Sequence, residues 1–150
     1  MTPVEALQRS SLFKDFTETG LKIFASIAQE KSFPLGAPLF AENMVGESLF
    51  IVKAGTLRIT QRNGDGAERE LGLVGPGEHV GEMALLGRSV RQVSAVAATP
   101  VEVLEITHRD FQRLQPQKPQ ACLKLAIAIG ADLAGRVAEL REALRALPGR

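Results

Sequence analysis

A chain of 150 residues is long enough for one domain with a real core and too short for two comfortable ones. Lysine and arginine total 18 against 17 aspartates and glutamates, a net charge of +1, which supplies no general pull toward nucleic acid or anionic lipid. Hydrophobic residues at 45% with 23% charged residues exclude a disordered chain, and the single cysteine, Cys122, excludes an internal disulfide or a multi-cysteine zinc site.

The N-terminus has no basic stretch followed by an apolar run, so a secretory leader is not expected. Thr2, Pro3 and Glu5 form a helix start: a cap, a proline in the first turn and an acid three residues on. Two short helices follow, Val4–Arg9 and Glu18–Gln29, the second carrying Leu21, Phe24, Ala25 and Ala28 at helical spacing. Phe13 and Phe16 lie between them and are expected to staple these helices to a sheet. From Phe33 to Ile106 glycine and proline separate short β-type runs: Pro38–Ala41, Leu49–Lys53, Thr56–Arg62, Glu68–Val74, Val93–Ala98 and Val101–Ile106. Asn63-Gly64-Asp65-Gly66 is a hairpin turn, because asparagine and glycine accept the positive φ it requires. Leu57 and Ile59 alternate with Arg58 and Thr60, which predicts one dry and one wet face.

The remainder is helical. Thr107 and Asp110 cap a short helix, His108–Gln115, and a long helix runs from about Pro119 to Leu147, stopped by Pro148-Gly149. The expected fold is therefore mainly β: a β-roll of the jelly-roll, double-stranded β-helix kind, with N-terminal helices over 1–29, the roll over 30–107 and C-terminal helices over 108–150. The most apolar stretch, Leu123 to Leu133, is about half the ~20 residues a membrane span needs. A cytoplasmic protein is expected.

The chemistry concentrates in Gly75-Pro-Gly-Glu-His-Val-Gly-Glu-Met-Ala-Leu-Leu86 and Arg91. A turn and a short strand lead to Gly81-Glu82, which opens one helical turn, Met83–Leu86. Free N–H groups at such a start form an anion seat, and Gly81 lets a ligand approach the backbone. Glu82 accepts hydrogen bonds from hydroxyls, and Arg91 offers a charged fork for phosphate oxygens. Together these groups suit a small sugar phosphate. The rival readings are a capping role for Glu82 and a surface ion pair for Arg91. His79 and His108 read as structural or exposed, and Cys122 as a small core residue. No nucleophile–base set or phosphate-binding lysine loop is present, so an enzyme is not expected, and two histidines leave a histidine-rich metal site short of ligands.

Gly81-Glu82-Met83-Ala84-Leu85-Leu86, four intervening residues and Arg91 resemble the phosphate-binding cassette of cyclic nucleotide-binding domains. Phe40-Ala-Glu, Gly46-Glu-Ser-Leu-Phe-Ile-Val, Gly55-Thr-Leu-Arg-Ile, Gly75-Pro-Gly-Glu and Val101-Glu-Val-Leu-Glu-Ile extend the likeness over roughly residues 10–146. The resemblance implies a regulatory β-roll that binds cAMP or cGMP as ligand, with no metal and no catalytic residue. Glu82 would hold the ribose 2′-hydroxyl, Arg91 the cyclic phosphate, and N–H groups around Met83 and Ala84 the phosphate oxygens. Base contacts would come from the roll interior, Gly72 and Val74, and from the C-terminal helix. Two positions depart from the family pattern. Gln92 stands where a small residue is usual and could bond the ligand or fill part of the pocket, and His79-Val80 replaces an aromatic pair. These departures favour the alternative, a degenerate roll acting as a ligand-free protein-interaction module.

Leu123, Ala126, Gly130, Leu133, Val137, Leu140, Leu144 and Leu147 recur in the three-four spacing of a coiled-coil seam. Ile127 and Ile129 widen its first half, which is expected to bury against the roll. A homodimer through residues 123–147 is the expectation, against a helix folded only on its own domain, with Arg136 and Arg141 facing each other across chains and Asp132 softening the repulsion. Family members that regulate transcription carry a DNA-reading head after this helix. None follows here, so nucleic-acid binding is not expected, and output would pass to an unidentified protein partner.

Overall fold

The computed structural model describes residues 1–148; Gly149, half of the expected helix stop, lies outside them. Helix α1 (Pro3–Gln8) is capped as expected, with Thr2 Oγ1 accepting from the Glu5 N–H at 3.2 Å. A 3-10 turn, Ser11–Phe13, leads to α2 (Glu18–Ala25), capped by Thr17. Ten strands follow. β1 (Gln29–Phe33), β2 (Pro38–Phe40), β3 (Val45–Gly46), β4 (Ser48–Ala54), β5 (Leu57–Arg62) and β6 (Glu68–Val74) precede the cassette. β7 (His79–Val80), the one-turn helix α3 (Met83–Leu86) and β8 (Ser89–Val90) form it, and β9 (Ser94–Ala97) and β10 (Val101–Thr107) complete the β region. Helix α4 (His108–Leu114), capped by Thr107, and the long α5 (Pro119–Arg145) close the chain.

The strands form two four-stranded antiparallel sheets, ordered β1-β10-β4-β7 and β2-β9-β5-β6, and a separate β3-β8 pair. Side chains alternate across β4 and β10, and both faces of these central strands are buried. Phe50, Val52, Val101 and Val103 point into the roll with Leu57, Val80 and Ala97. Leu49, Ile51, Leu104 and Ile106 point the other way, against Leu7, Phe13, Phe24, Phe111, Leu125 and Ile129 of the helices. Phe13 shares this cluster with Leu49, Ile51, Leu104 and Ile106 of the sheet and Phe16 packs against it, so they staple the helices to the sheet, and both rings also pack on Phe24. Cys122 sits in this helical core, and burial pushes its thiol up.

Three local expectations are corrected. Helix α2 stops at Ala25, and Gln29 opens a strand instead of closing a helix. β1 sits at a sheet edge on β10, with Gln29 opposite Glu105 and Phe33 opposite Val101, so its side chains are mostly exposed and carry no apolar signature. Thr60 is buried at 3% exposure, not on a wet face, because the β5–β6 register shifts between Ile59 and Thr60 and breaks the alternation. Helix α5 buries Cys122, Leu125 and Ile129, while Leu123 and Ile127 are more than half exposed. The buried stripe is thus a different one from the coiled-coil seam. Among the described residues no helix is long and apolar enough to cross a membrane.

Leu104 is fully buried at the centre of the shared β4–β10 ladder. Leu104→Ala is expected to lower unfolding stability by about 3 kcal/mol in urea titration. Exposed Leu35→Ala should change it by less than about 0.5 kcal/mol.

Candidate functional site

Gly81 turns the chain from β7 into α3 with a φ of +80°. A Cβ there would lie 2.3 Å from Arg91 Nη1 and 2.8 Å from the Ser48 carbonyl oxygen, so both conformation and space demand glycine. Arg91, just after β8, is fixed at the backbone by the loop between β2 and β3: its N–H donates to the Met44 carbonyl at 2.7 Å, and its carbonyl accepts from Asn43 at 2.8 Å. Its side chain runs inward past Gly46, where a Cβ would stand 3.0 Å from Nε. Nη2 donates to the Ser48 carbonyl at 2.8 Å and Nη1 to the Gly81 carbonyl at 3.4 Å. The guanidinium carbon lies 4.1 Å from the centre of the Phe40 ring, a cation–π contact.

Arg91 is therefore 8% exposed and aimed into the roll. Burial draws its pKa below the ordinary value, against the opposing pull of Glu82, Glu105 and Glu47; a guanidinium stays charged at neutral pH regardless. It has five N–H donors, and the two carbonyls take two of them. Behind it, Ser48 donates its hydroxyl to buried Glu105 at 2.6 Å, and Lys31 pairs with the same carboxylate at 2.5 Å.

Glu82 is equally buried, at 3% exposure. Its Oε1 lies 3.0 Å from Arg136 Nη1, and Arg136 Nη2 is 3.3 Å from Asp132 Oδ2, one helical turn back on α5. His79 Nε2 stands 3.2 Å from that Asp132 oxygen and 4.0 Å from Glu82 Oε2. Side-chain ligand atoms of His79, Glu82 and Asp132 fall within 4.8 Å of one another. The Arg136 guanidinium already lies across both carboxylates as their counter-charge.

Between these groups lies a cavity of 290 Å³, walled by Phe40, Ile59, Val74 and Val80 and bounded by Gly81, Glu82, Met83, Ala84, Arg91 and Gln92, with Arg136 at its α5 side. Its size is near the lower end for small-molecule sites, and its mostly apolar wall with a few polar groups is typical of them. Of the residues expected from sequence, Gly81, Glu82, Met83, Ala84, Arg91, Gln92 and Val74 meet here, whereas Gly72 does not line the cavity. The Ala84 N–H is already used, donating to the Gly81 carbonyl at 3.1 Å. Gln92 does not plug the space: it is exposed, and its Nε2 donates to the Val90 carbonyl at 3.3 Å. Arg136 pairs with Glu82 of its own chain.

Sequence reasoning assigned no part in the site to Phe40, Gly46, Ser48, His79 or Asp132. The Asp132–Arg136 spacing was the one available signal, since residues four apart share a helix face; what that face meets depends on how α5 packs.

Two antiparallel sheets closed around an apolar cavity, with a short helical turn that sets a buried arginine and glutamate beside it, define a β-roll. The family model described as "Cyclic nucleotide-binding domain" matches residues 30–117, and the chain belongs to that family. It is similar to the cyclic AMP receptor protein of Thermus thermophilus, 32% identical over 127 residues, which are 85% of this chain and 59% of the receptor. A crystal structure of the Thermus thermophilus catabolite activator protein superposes with a TM-score of 0.81 at 33% identity, covering 91% of this chain and 62% of that one. A cGMP-dependent protein kinase of Caenorhabditis briggsae is 28% identical over 113 residues, 74% of this chain and 15% of the kinase. The chain thus spans about three fifths of the receptor and a small part of the kinase.

The slot for Arg91 rests on two glycines of unequal constraint. Gly81→Ala combines positive φ with a close approach to backbone and should lower stability by about 1–2 kcal/mol or more. Gly46→Ala has no positive φ to violate and brings its Cβ only to 3.0 Å from Arg91 Nε, so it should cost less. Melting curves of the two variants check the order.

Proposed function

We propose that this chain binds a cyclic nucleoside monophosphate, cAMP or cGMP, in the cavity beside α3 and passes its occupancy to α5 as a regulatory signal. The observation that carries the reading is the Arg91 guanidinium, desolvated, held on two carbonyls and a ring, and still in possession of unused donors beside an apolar cavity. A buried cation of this kind gains most from a planar, charge-assisted contact with phosphate oxygens. Glu82 accepts a ribose hydroxyl, Gly81 and Met83 border the phosphate, and Phe40, Ile59 and Val74 give the base an apolar wall. The names of the relatives include both a cyclic AMP receptor and a cGMP-dependent kinase, and the apolar wall offers little polarity for telling adenine from guanine. The work of this site is binding, not catalysis.

The output side is α5. Leu123, Val137, Leu140, Leu144 and Leu147 are exposed along one three-four stripe, a surface of the kind that pairs with a second helix. We read it as a homodimer seam, with residues 1–148 acting as one regulatory unit of a cytoplasmic protein. One observation favours the ligand-free alternative: Glu82 already has a counter-charge in Arg136.

Isothermal calorimetry with cAMP and cGMP tests the reading. Arg91→Ala should cost about 2–3 kcal/mol, roughly 30- to 150-fold in Kd; unchanged affinity removes the clamp. A nucleotide at about 100 times its Kd should add about 2.7 kcal/mol of stability, and no shift with either nucleotide supports the ligand-free module. Sedimentation should show a dimer that Leu140→Glu with Leu144→Glu converts to monomer without loss of fold.

A further inference from the structure

We infer that His79 is a positioning residue for Glu82: through Asp132 it fixes the Arg136 guanidinium on the cassette carboxylate, so docking of α5 and the orientation of Glu82 are one event. The inference rests on the cyclic-nucleotide reading only where it concerns ligand affinity. His79 is 6% exposed and stands on β7, where its backbone is held in register opposite Ile51. It therefore belongs to the rigid part of the roll. Asp132 and Arg136 stand on α5 just beyond Ile129, the last fully buried residue of that helix. Past this point α5 turns mostly solvent-exposed side chains outward, and the polar cluster is what ties this stretch to the roll.

The hydrogen bonds have a direction. Asp132 accepts at Oδ2 from His79 Nε2 at 3.2 Å and from Arg136 Nη2 at 3.3 Å. Arg136 then spans from that oxygen to Glu82 Oε1 at 3.0 Å. His79 Nδ1 is buried without a partner among the described residues. The arrangement is served by the tautomer with its proton on Nε2, which leaves an acceptor, not a donor, unpaired on the far side. An aromatic hydrocarbon at position 79 would fill the same space and give Asp132 nothing to hold. Asp132 is only partly buried. Without His79 it is drawn toward water, and Arg136 loses the second of its two anchors.

His79 also lines the cavity, so the nucleotide-free resonance of Glu82, and not affinity alone, reads its positioning role. Glu82 Oε2 is 4.0 Å from His79 Nε2, too far for a hydrogen bond, so the hydrogen-bonded route from His79 to Glu82 runs through the helix. Two sites that share a carboxylate in this way are coupled reciprocally: whatever binds Glu82 changes how firmly α5 is held, and the reverse.

The test uses the full chain and two readouts. The ¹³C resonance of the Glu82 carboxylate, assigned with Glu82→Gln, is recorded without nucleotide for wild type, His79→Phe, His79→Gln and Asp132→Ala. His79→Phe and Asp132→Ala are expected to move it the same way as Arg136→Gln does, and His79→Gln, which keeps a donor near the Nε2 position, to leave it near wild type. Calorimetry with cAMP on folded variants is expected to show about tenfold weaker binding for His79→Phe and for Asp132→Ala, no further loss in the double variant, and recovery in His79→Gln. A Glu82 resonance unmoved in both His79→Phe and Asp132→Ala, tighter binding, or fully additive losses overturns the inference. If wild type binds neither cAMP nor cGMP while the resonance moves as described, the nucleotide reading falls and the positioning role stands.

Discussion

The site depends on keeping one guanidinium dry. A buried arginine is tolerable only when its N–H groups find oxygen and its charge finds compensation, and the surroundings of Arg91 are organised to that end. The Ser48 and Gly81 carbonyls accept from it, the Phe40 ring lies beneath it, and Glu82 and Glu105 supply negative charge nearby. Two glycines are required not for flexibility in general but because the side chain occupies the volume their Cβ atoms would fill. The β3–β8 pair sets the point at which the chain turns inward.

The roll and the helices share two strands. β4 and β10 are buried on both faces, so a displacement of either strand is felt at once by the roll interior and by the helical core. Ser48 begins β4 and bonds to Arg91, Phe50 faces the interior, and Leu49 faces the helices. The physical route from the cavity to α5 is thus short in two senses. It runs through packed side chains across β4 and through the polar cluster that α5 lays over the cassette.

Much of the fold was legible because its signals are local. The Thr2 and Thr107 caps, the Asn63–Gly66 hairpin, the apolar runs of β4 and β10 and the proline that opens α5 each read directly from neighbouring residues. Edge strand β1 was not legible, since Gln29-Glu-Lys-Ser has no apolar alternation, and neither was the register shift that buries Thr60. The site divides in the same way. Gly81, Glu82 and Arg91 lie within one short segment whose spacing carries meaning. Phe40, Gly46 and Ser48 come from strands brought beside Arg91 by pairing, and His79 meets Asp132 across 53 positions of sequence. Such contacts are set by tertiary packing, which no local pattern encodes. The pairing of Arg136 with Glu82 was not legible either, because the seam's spacing fixes an azimuth on the helix and not the intrachain neighbour found there.

The polarity that hid β1 has its own consequence. As the outermost member of its sheet, β1 presents a row of unpaired amides and carbonyls, the kind of margin on which another chain can template. Its Glu30 bonds to Lys53, Lys31 pairs with Glu105, and most of its side chains stand in water. Stacking a second molecule against that margin would strip solvent from charges with nothing to replace it. The same residues that gave no sign of a strand thereby guard the protein against fibrous growth.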